Sequence, residues 1–208
     1  MNKILINIID LKCNNIFSLS EACKKVGYKV NIIQDMNGFK KNNSDILMLP
    51  GVGSFNQAMK TLKKKHFDKF IFEHVKQKNK LLVGICLGMQ LLFNSSNEFK
   101  FSKGLSLVDG KVTNLKKIKN ESFPHIGWKQ IQSTKKNLWN RFNNKSFYFI
   151  HSYFCDPQDK SIITSYVFYG KKKICSSIKT PNIIGTQFHP EKSGKEGLKF
   201  LNELKKFV

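Results

Sequence analysis

Apolar runs and helically spaced apolar positions alternate through the first half of the chain. Lys3 to Asp10 is almost continuously apolar and predicts a buried strand. Asn15 to Gly27 follows with Ile16, Leu19, Ala22, Cys23 and Val26 at roughly helical spacing, and Gly27 as the stop. Tyr28 to Ile33 and Asp45 to Leu49 predict two more strands. Pro50-Gly51-Val52-Gly53 then breaks the pattern, and Ser54 is placed to cap a helix running through Gln57, Met59 and Leu62. Phe67 to Lys78 is amphipathic, Lys80 to Ile85 is a short apolar strand, and Leu87 to Phe93 reads as a helix that begins at once. Strands and helices in this order imply a parallel, doubly wound sheet.

The second half changes character. Leu105 to Thr113, Ile126 to Ser133, Ser146 to Phe154, Ile162 to Tyr169, Lys172 to Ile178 and Ile183 to Gln187 are strand-like, with few helices between them, and a last helix covers about Gly194 to Lys206. The expected architecture is α/β: one mixed, mostly parallel sheet with antiparallel additions, flanked by helices, in a single domain over residues 1–208.

Composition adds exclusions. Hydrophobic residues make up 40% of 208 positions, enough for a packed core. No apolar run is long enough for a membrane span, and the N-terminus lacks a cleavable signal pattern, so a cytoplasmic location and no membrane partner are expected. The net charge of +22 invites nucleic-acid binding. Against it, Arg141 is the sole arginine, and bidentate phosphate or guanine recognition favours arginine, so no nucleic-acid partner is expected. The five cysteines are scattered without a C-x-x-C pair, which argues against disulfides or zinc. Cys23 and Cys175 read as buried and inert; Cys13 and Cys155 are left open. His66 and His74 lie in lysine-rich helical segments and read as solvated, and His125 and His151 read as separate from one another. No metal site follows.

Candidate chemistry centres on Gly84-Ile85-Cys86-Leu87-Gly88. This G-x-C-x-G is the thiol counterpart of a nucleophile elbow, in which a strained strand-to-helix turn lifts the nucleophile above the sheet and needs small neighbours two residues away. The following helix would bring its positive end beside the sulfur, and the Leu87 amide would face a developing oxyanion. A buried cysteine between two packing glycines is the bland alternative. Gln187-Phe188-His189-Pro190-Glu191 weighs against it: a thiol nucleophile needs a base, and a base needs a carboxylate to hold its tautomer. His189 and Glu191 stand two apart, so an extended segment turns both side chains to one side. Pro50-Gly51-Val52-Gly53-Ser54-Phe55 lacks a G-K-[ST] ending, so a second oxyanion donor is a better reading than a phosphate loop.

Pro50 to Gly53, Gly84 to Leu92 and Gln187 to Gly194 together resemble the class I (triad) glutamine amidotransferases. Gly104 to Gly110, Pro124-His125-Ile126-Gly127-Trp128 and His151-Ser152-Tyr153 extend the likeness over nearly the whole chain, and narrow it to glutaminase subunits of imidazole glycerol phosphate synthase. The resemblance implies the flavodoxin-like fold of that family and L-glutamine as substrate. It implies Cys86 as nucleophile, His189 as general base and acid, and Glu191 as its orienting carboxylate. Leu87 and Val52 would supply oxyanion amides, with the Gly51-Val52 peptide turning to do so. Gly53, Gln90 and His151-Ser152-Tyr153 would hold the ends of glutamine. No cofactor is implied, because the thioester chemistry needs none. Ammonia would pass to a TIM-barrel cyclase subunit in a heterodimer, with Pro124 to Trp128 near the interface and little activity in the isolated glutaminase. The family usually reads D-Y-G-x-G-N-x-x-S after the first strand, where this chain has Asp10-Leu11-Lys12-Cys13-Asn14-Asn15-Ile16-Phe17-Ser18; its P-H-x-G-W-N ends here in Lys129. Two acceptors stay open on these departures: the histidine-pathway intermediate, or a surface-polysaccharide sugar served by related paralogues.

Overall fold

A computed structural model describes residues 3–12, 16–36, 43–134 and 138–208. Cys13 lies outside the described residues. The first half follows the expected alternation. β1 (Leu5–Ile9), β2 (Lys29–Ile33), β3 (Ile46–Gly51) and β4 (Leu81–Cys86) pair in parallel in the order β2-β1-β3-β4. β3 and β4 are buried at all six positions, as central strands covered on both faces must be. α1 (Ile16–Lys25), α2 (Phe55–Lys64) and α3 (Phe67–Val75) connect them. In α2 the buried set is Phe55, Ala58, Met59 and Leu62, and in α3 it is Phe67, Phe70, Ile71 and His74, one stripe per helix. His74 is therefore a core residue and not a solvated one. It occupies the fourth position of the stripe, its Nε2 lies 3.0 Å from the Leu81 carbonyl oxygen, and burial lowers its pKa to about 4.

The elbow helix α4 (Leu87–Leu91) has only five residues and Phe93 already belongs to the next strand, so the expected helix to Phe93 is cut short. Beyond it the chain builds two sheets where one was expected. β5 (Phe93–Ser96), β6 (Ser102–Lys103), β7 (Val108–Asn114) and β10 (Tyr153–Pro157) form a four-stranded sheet in the order β10-β7-β5-β6. β8 (His125–Ser133), β9 (Ser146–His151), β11 (Ile163–Tyr169), β12 (Lys172–Lys179) and β13 (Ile183–Thr186) extend the main sheet to nine strands, ordered β2-β1-β3-β4-β13-β12-β11-β8-β9. β13 pairs in parallel with β4, and the strands beyond it are antiparallel. Ser146 to Phe154, expected as one strand, is two: the chain leaves the main sheet at His151 and enters the second at Tyr153.

The two faces of the main sheet carry separate cores. α1 and the final helix α5 (Gly194–Glu203) cover one, where Trp139 stacks on Phe200 at 4.8 Å between centroids. α2, α3 and α4 and part of the second sheet cover the other. The sole arginine, Arg141, pairs with the buried Glu203 of α5 and so braces the first core. Cys23, Cys155 and Cys175 are all buried free thiols, which resolves Cys155 as inert. Among the described residues no helix is long and apolar enough to cross a membrane.

Candidate active site

Cys86 sits at the last position of β4 with φ 54° and ψ −112°, in the left-handed half of the map that non-glycine residues avoid. The neighbouring glycines explain how the turn closes. A Cβ on Gly88 would lie 1.6 Å from the Leu49 carbonyl oxygen of β3, and one on Gly84 would lie 2.8 Å from the Met89 Cα. Gly185 stands beside Gly84 in the β13–β4 register and leaves the same space for Met89. Two strands thus offer a glycine shelf on which α4 rests, and the cysteine must bend sharply between them. With five residues α4 carries little macrodipole; what it offers the sulfur is its first free N–H groups.

His189 follows β13, and its amide donates to the Tyr148 carbonyl at 2.9 Å. Glu191 reaches it by a different route from the one expected. The backbone is extended only at His189; Pro190–Lys192 is a 3-10 turn, which folds the carboxylate back. His189 Nδ1 and Glu191 Oε1 are 2.8 Å apart, both side chains buried. Ser193 holds the turn from behind: its Oγ donates to the His189 carbonyl at 2.6 Å and accepts from the Tyr148 amide at 3.0 Å. With Nδ1 engaged, Nε2 is the nitrogen left for Cys86. Burial alone would lower the His189 pKa; the nearby Cys86 sulfur, aided by Glu191, overcomes it and holds the imidazole at about 10, while Nε2 itself makes no hydrogen bond. A sulfur, an imidazole and a carboxylate in this order can pass a proton to and from a substrate.

A cavity of about 260 Å³ opens beside the sulfur, of a size for one amino acid. Cys86, Val52, Gly53, Leu87, Gln90, His151, Ser152 and Tyr153 line it, eight residues singled out from the sequence. Gly51 does not. It pairs with Cys86 in the β3–β4 register, so Val52 and Leu87 follow the ends of neighbouring parallel strands and both line the cavity. Gly51, His189 and Glu191 border a smaller cavity behind Val52. Gln90 Nε2 donates to the Tyr153 carbonyl at 3.0 Å and to Gln187 Oε1 at 3.1 Å, and Gln187 Nε2 approaches the Cys86 sulfur at 3.6 Å.

Pro124, expected near a partner interface, lines the cavity too, and two lining residues were not anticipated: Glu98 and Ile150. Glu98 is the one carboxylate among them. It accepts the Phe55 amide at the start of α2, where the Ser54 side chain makes no capping bond, and burial raises its pKa. The expected separation of His125 and His151 also fails. They face each other across the β8–β9 ladder, with Nδ1 of His125 3.0 Å from Nε2 of His151. Among the described residues no group of three or more His, Cys, Asp or Glu side chains comes together as a metal site requires.

The strained thiol, the buried imidazole–carboxylate pair and the amino-acid-sized cavity sit on a fold that has close company. The family model for class-I glutamine amidotransferases matches residues 7–205, and the chain belongs to that family. The chain is 40% identical over 194 residues to the imidazole glycerol phosphate synthase subunit HisH of Prochlorococcus marinus, covering 92% of this chain and 89% of that protein. It is 40% identical over 203 residues to the hisH subunit of Cyanophora paradoxa (95% and 91%), and 38% over 199 residues to HisH 1 of Campylobacter jejuni (95% and 97%). Among solved structures, PurLQS from Thermotoga maritima superposes with a TM-score of 0.74 at 16% identity over the whole of both chains. A crystal structure titled simply glutamine amidotransferase gives 0.72 at 15%, covering 96% and 97%. These structural likenesses bear on the fold.

Proposed function

We propose that this chain is the glutaminase subunit of an imidazole glycerol phosphate synthase, a single glutamine amidotransferase domain that hydrolyses L-glutamine and passes ammonia to a TIM-barrel cyclase. The observation that carries the chemistry is Cys86 at the wall of the 260 Å³ cavity, with the buried His189–Glu191 pair behind it. The histidine-pathway assignment is supported by relatives named HisH at 35–40% identity along nearly their full length.

In this reading Cys86 Sγ attacks the side-chain carbonyl carbon of glutamine. The oxyanion is received by the Leu87 amide and by the Val52 amide once the Gly51-Val52 peptide turns toward it, a reading supported by Val52 and Leu87 both lining the cavity. His189 enters the cycle charged, so its first proton goes to the departing amide nitrogen, and ammonia leaves a thioester on Cys86. Neutral His189 then takes a proton from water as the water adds, and collapse of the second tetrahedral adduct expels the Cys86 thiolate beside the restored imidazolium, while the new carboxylic acid leaves as glutamate and gives its proton to solvent or ammonia. Glu191 keeps the proton-bearing Nδ1 turned inward throughout. Glu98 faces the ammonium end of glutamine, and Gly53, Gln90, Ser152 and Tyr153 frame the rest.

Exposed apolar side chains gather round the cavity mouth and support a docking partner there. Val52 and Ile150 line the cavity, Phe99 follows Glu98, Phe123 precedes Pro124, and Ile126 lies directly opposite Ile150. A partner covering them would close the cavity against water. The test is reconstitution with a cyclase barrel. Glutamine hydrolysis should be low in the isolated chain, rise at least tenfold in the pair, and yield imidazole glycerol phosphate and the aminoimidazole carboxamide ribotide. A cyclase that neither stimulates hydrolysis nor forms product would contradict the reading and favour a sugar-amidating acceptor.

A further inference from the structure

The His125–His151 pair lies one step behind the cavity, and its hydrogen-bond order is forced. His151 Nδ1 is 2.7 Å from the Tyr153 carbonyl oxygen, which can only accept, so Nδ1 carries the hydrogen. Burial, then the neighbouring His125, lowers the His151 pKa to about 3, so its ring is neutral and Nε2 is bare. Nε2 must therefore accept from His125 Nδ1–H at 3.0 Å. Burial likewise lowers His125 to about 4, which leaves its own Nε2 bare and without a hydrogen-bond partner. Both rings are almost fully buried, His125 against Phe149 and Tyr169. Each nitrogen of His151 is thus occupied, and its imidazole has no polar atom to offer a ligand.

What the ring holds is the crossing between the two sheets. Tyr153 O accepts from both His151 Nδ1 and Gln90 Nε2, and Ser152 O accepts from the Leu115 amide at 2.8 Å. One carbonyl therefore ties the crossing to α4, the helix that carries the elbow. We propose that His125 is a positioning residue for the glutamine site: its Nδ1–H holds His151 in the one tautomer and orientation that fix Ser152 and Tyr153 against Gln90. This rests on the glutaminase reading and adds to it a residue that touches neither substrate nor triad. In this arrangement the His151 ring, which lines the cavity, acts on the glutamine site through the Tyr153 carbonyl.

The experiment compares His125→Asn with His125→Gln in the reconstituted complex. Asn carries its amide nitrogen where Nδ1 stands; Gln is closer to histidine in size but carries its donor one bond further out. Two readouts are the KM and kcat for glutamine and the concentration dependence of Cys86 alkylation by 6-diazo-5-oxo-L-norleucine. Iodoacetamide alkylation, which needs no amino-acid subsite, controls for thiol reactivity. The proposal expects His125→Asn within about threefold of wild type in KM. It expects His125→Gln to raise KM and the half-saturating analogue concentration about tenfold, with kcat and iodoacetamide rates changing less than threefold. A packing role would favour the larger Gln, so Gln equal to or better than Asn overturns the proposal. So does a loss confined to kcat. If wild type is not labelled by the analogue at Cys86, the glutamine reading falls and this proposal with it; if wild type is labelled and both variants match it, only this proposal falls.

Discussion

Gly88→Ala is the sharpest single probe of the elbow. The added methyl would stand 1.6 Å from the Leu49 carbonyl oxygen and 2.7 Å from its carbonyl carbon. Ordinary contact is about 3.4 Å or more, and the obstacle is strand backbone, so no rotamer relieves it. The turn must retreat by more than 1 Å, carrying Cys86 and the Leu87 amide with it. Overpacking of this kind costs roughly 1–3 kcal/mol of stability. A shift near 1 Å at the reacting atoms costs on the order of 100-fold in rate. Glutamate release by the reconstituted complex should therefore fall about 100-fold or more, while thermal unfolding still shows a cooperative transition a few degrees lower. Ammonium-dependent product formation should persist, because the partner's site is untouched. A Gly88→Ala enzyme that hydrolyses glutamine within threefold of wild type would refute the argument that this glycine is required by the close approach of α4 to β3.

Other expectations follow from the same geometry. Glu98→Gln removes the one carboxylate lining the cavity, and should raise the KM for glutamine about tenfold or more with a smaller change in kcat; an unchanged KM would remove Glu98 from the binding site. His189, held at about 10, should titrate well above the usual histidine range of about 6.5 when followed by ring NMR signals. Cys86→Ala deletes the largest upward influence while burial still pushes down, so the same titration should move to lower pH; an unmoved midpoint would show that the sulfur does not face the ring. Lys12 sits at φ 59°, in the left-handed region that favours glycine, held by its amide's 2.7 Å bond to Asp10 Oδ1. Lys12→Gly relieves about 1 kcal/mol of left-handed strain against a similar entropic loss, so stability should shift by less than about 1 kcal/mol in denaturant unfolding. A loss above 2 kcal/mol would mean that the side chain itself is structural.

The parts of the fold that were legible from the chain were those whose physics is local. β3 and β4 are apolar at nearly every position because both faces are covered, and the elbow announces itself because a strained cysteine needs Gly84 and Gly88. His189 and Glu191 were readable as partners from spacing, although a 3-10 turn and not an extended strand brings them together. The second sheet was not readable, since Phe-Asn-Ser-Ser in β5 and the two residues of β6 carry no period that marks a strand. Glu98 and the His125–His151 contact were hidden for a related reason. They depend on which strand lies beside which and in what register, and the split at Ser152 that aligns them has no signature in composition. His74 misled because lysines surround it in sequence while the helix turns it inward.

The most direct test of the account is Cys86→Ala in the complex with its cyclase, assayed with glutamine and separately with ammonium. Glutamine-dependent formation of imidazole glycerol phosphate should disappear, while ammonium-dependent formation should stay within about twofold of wild type. Persisting glutamine hydrolysis would contradict Cys86 as the nucleophile, and loss of the ammonium reaction as well would contradict the separation of ammonia release from ammonia use.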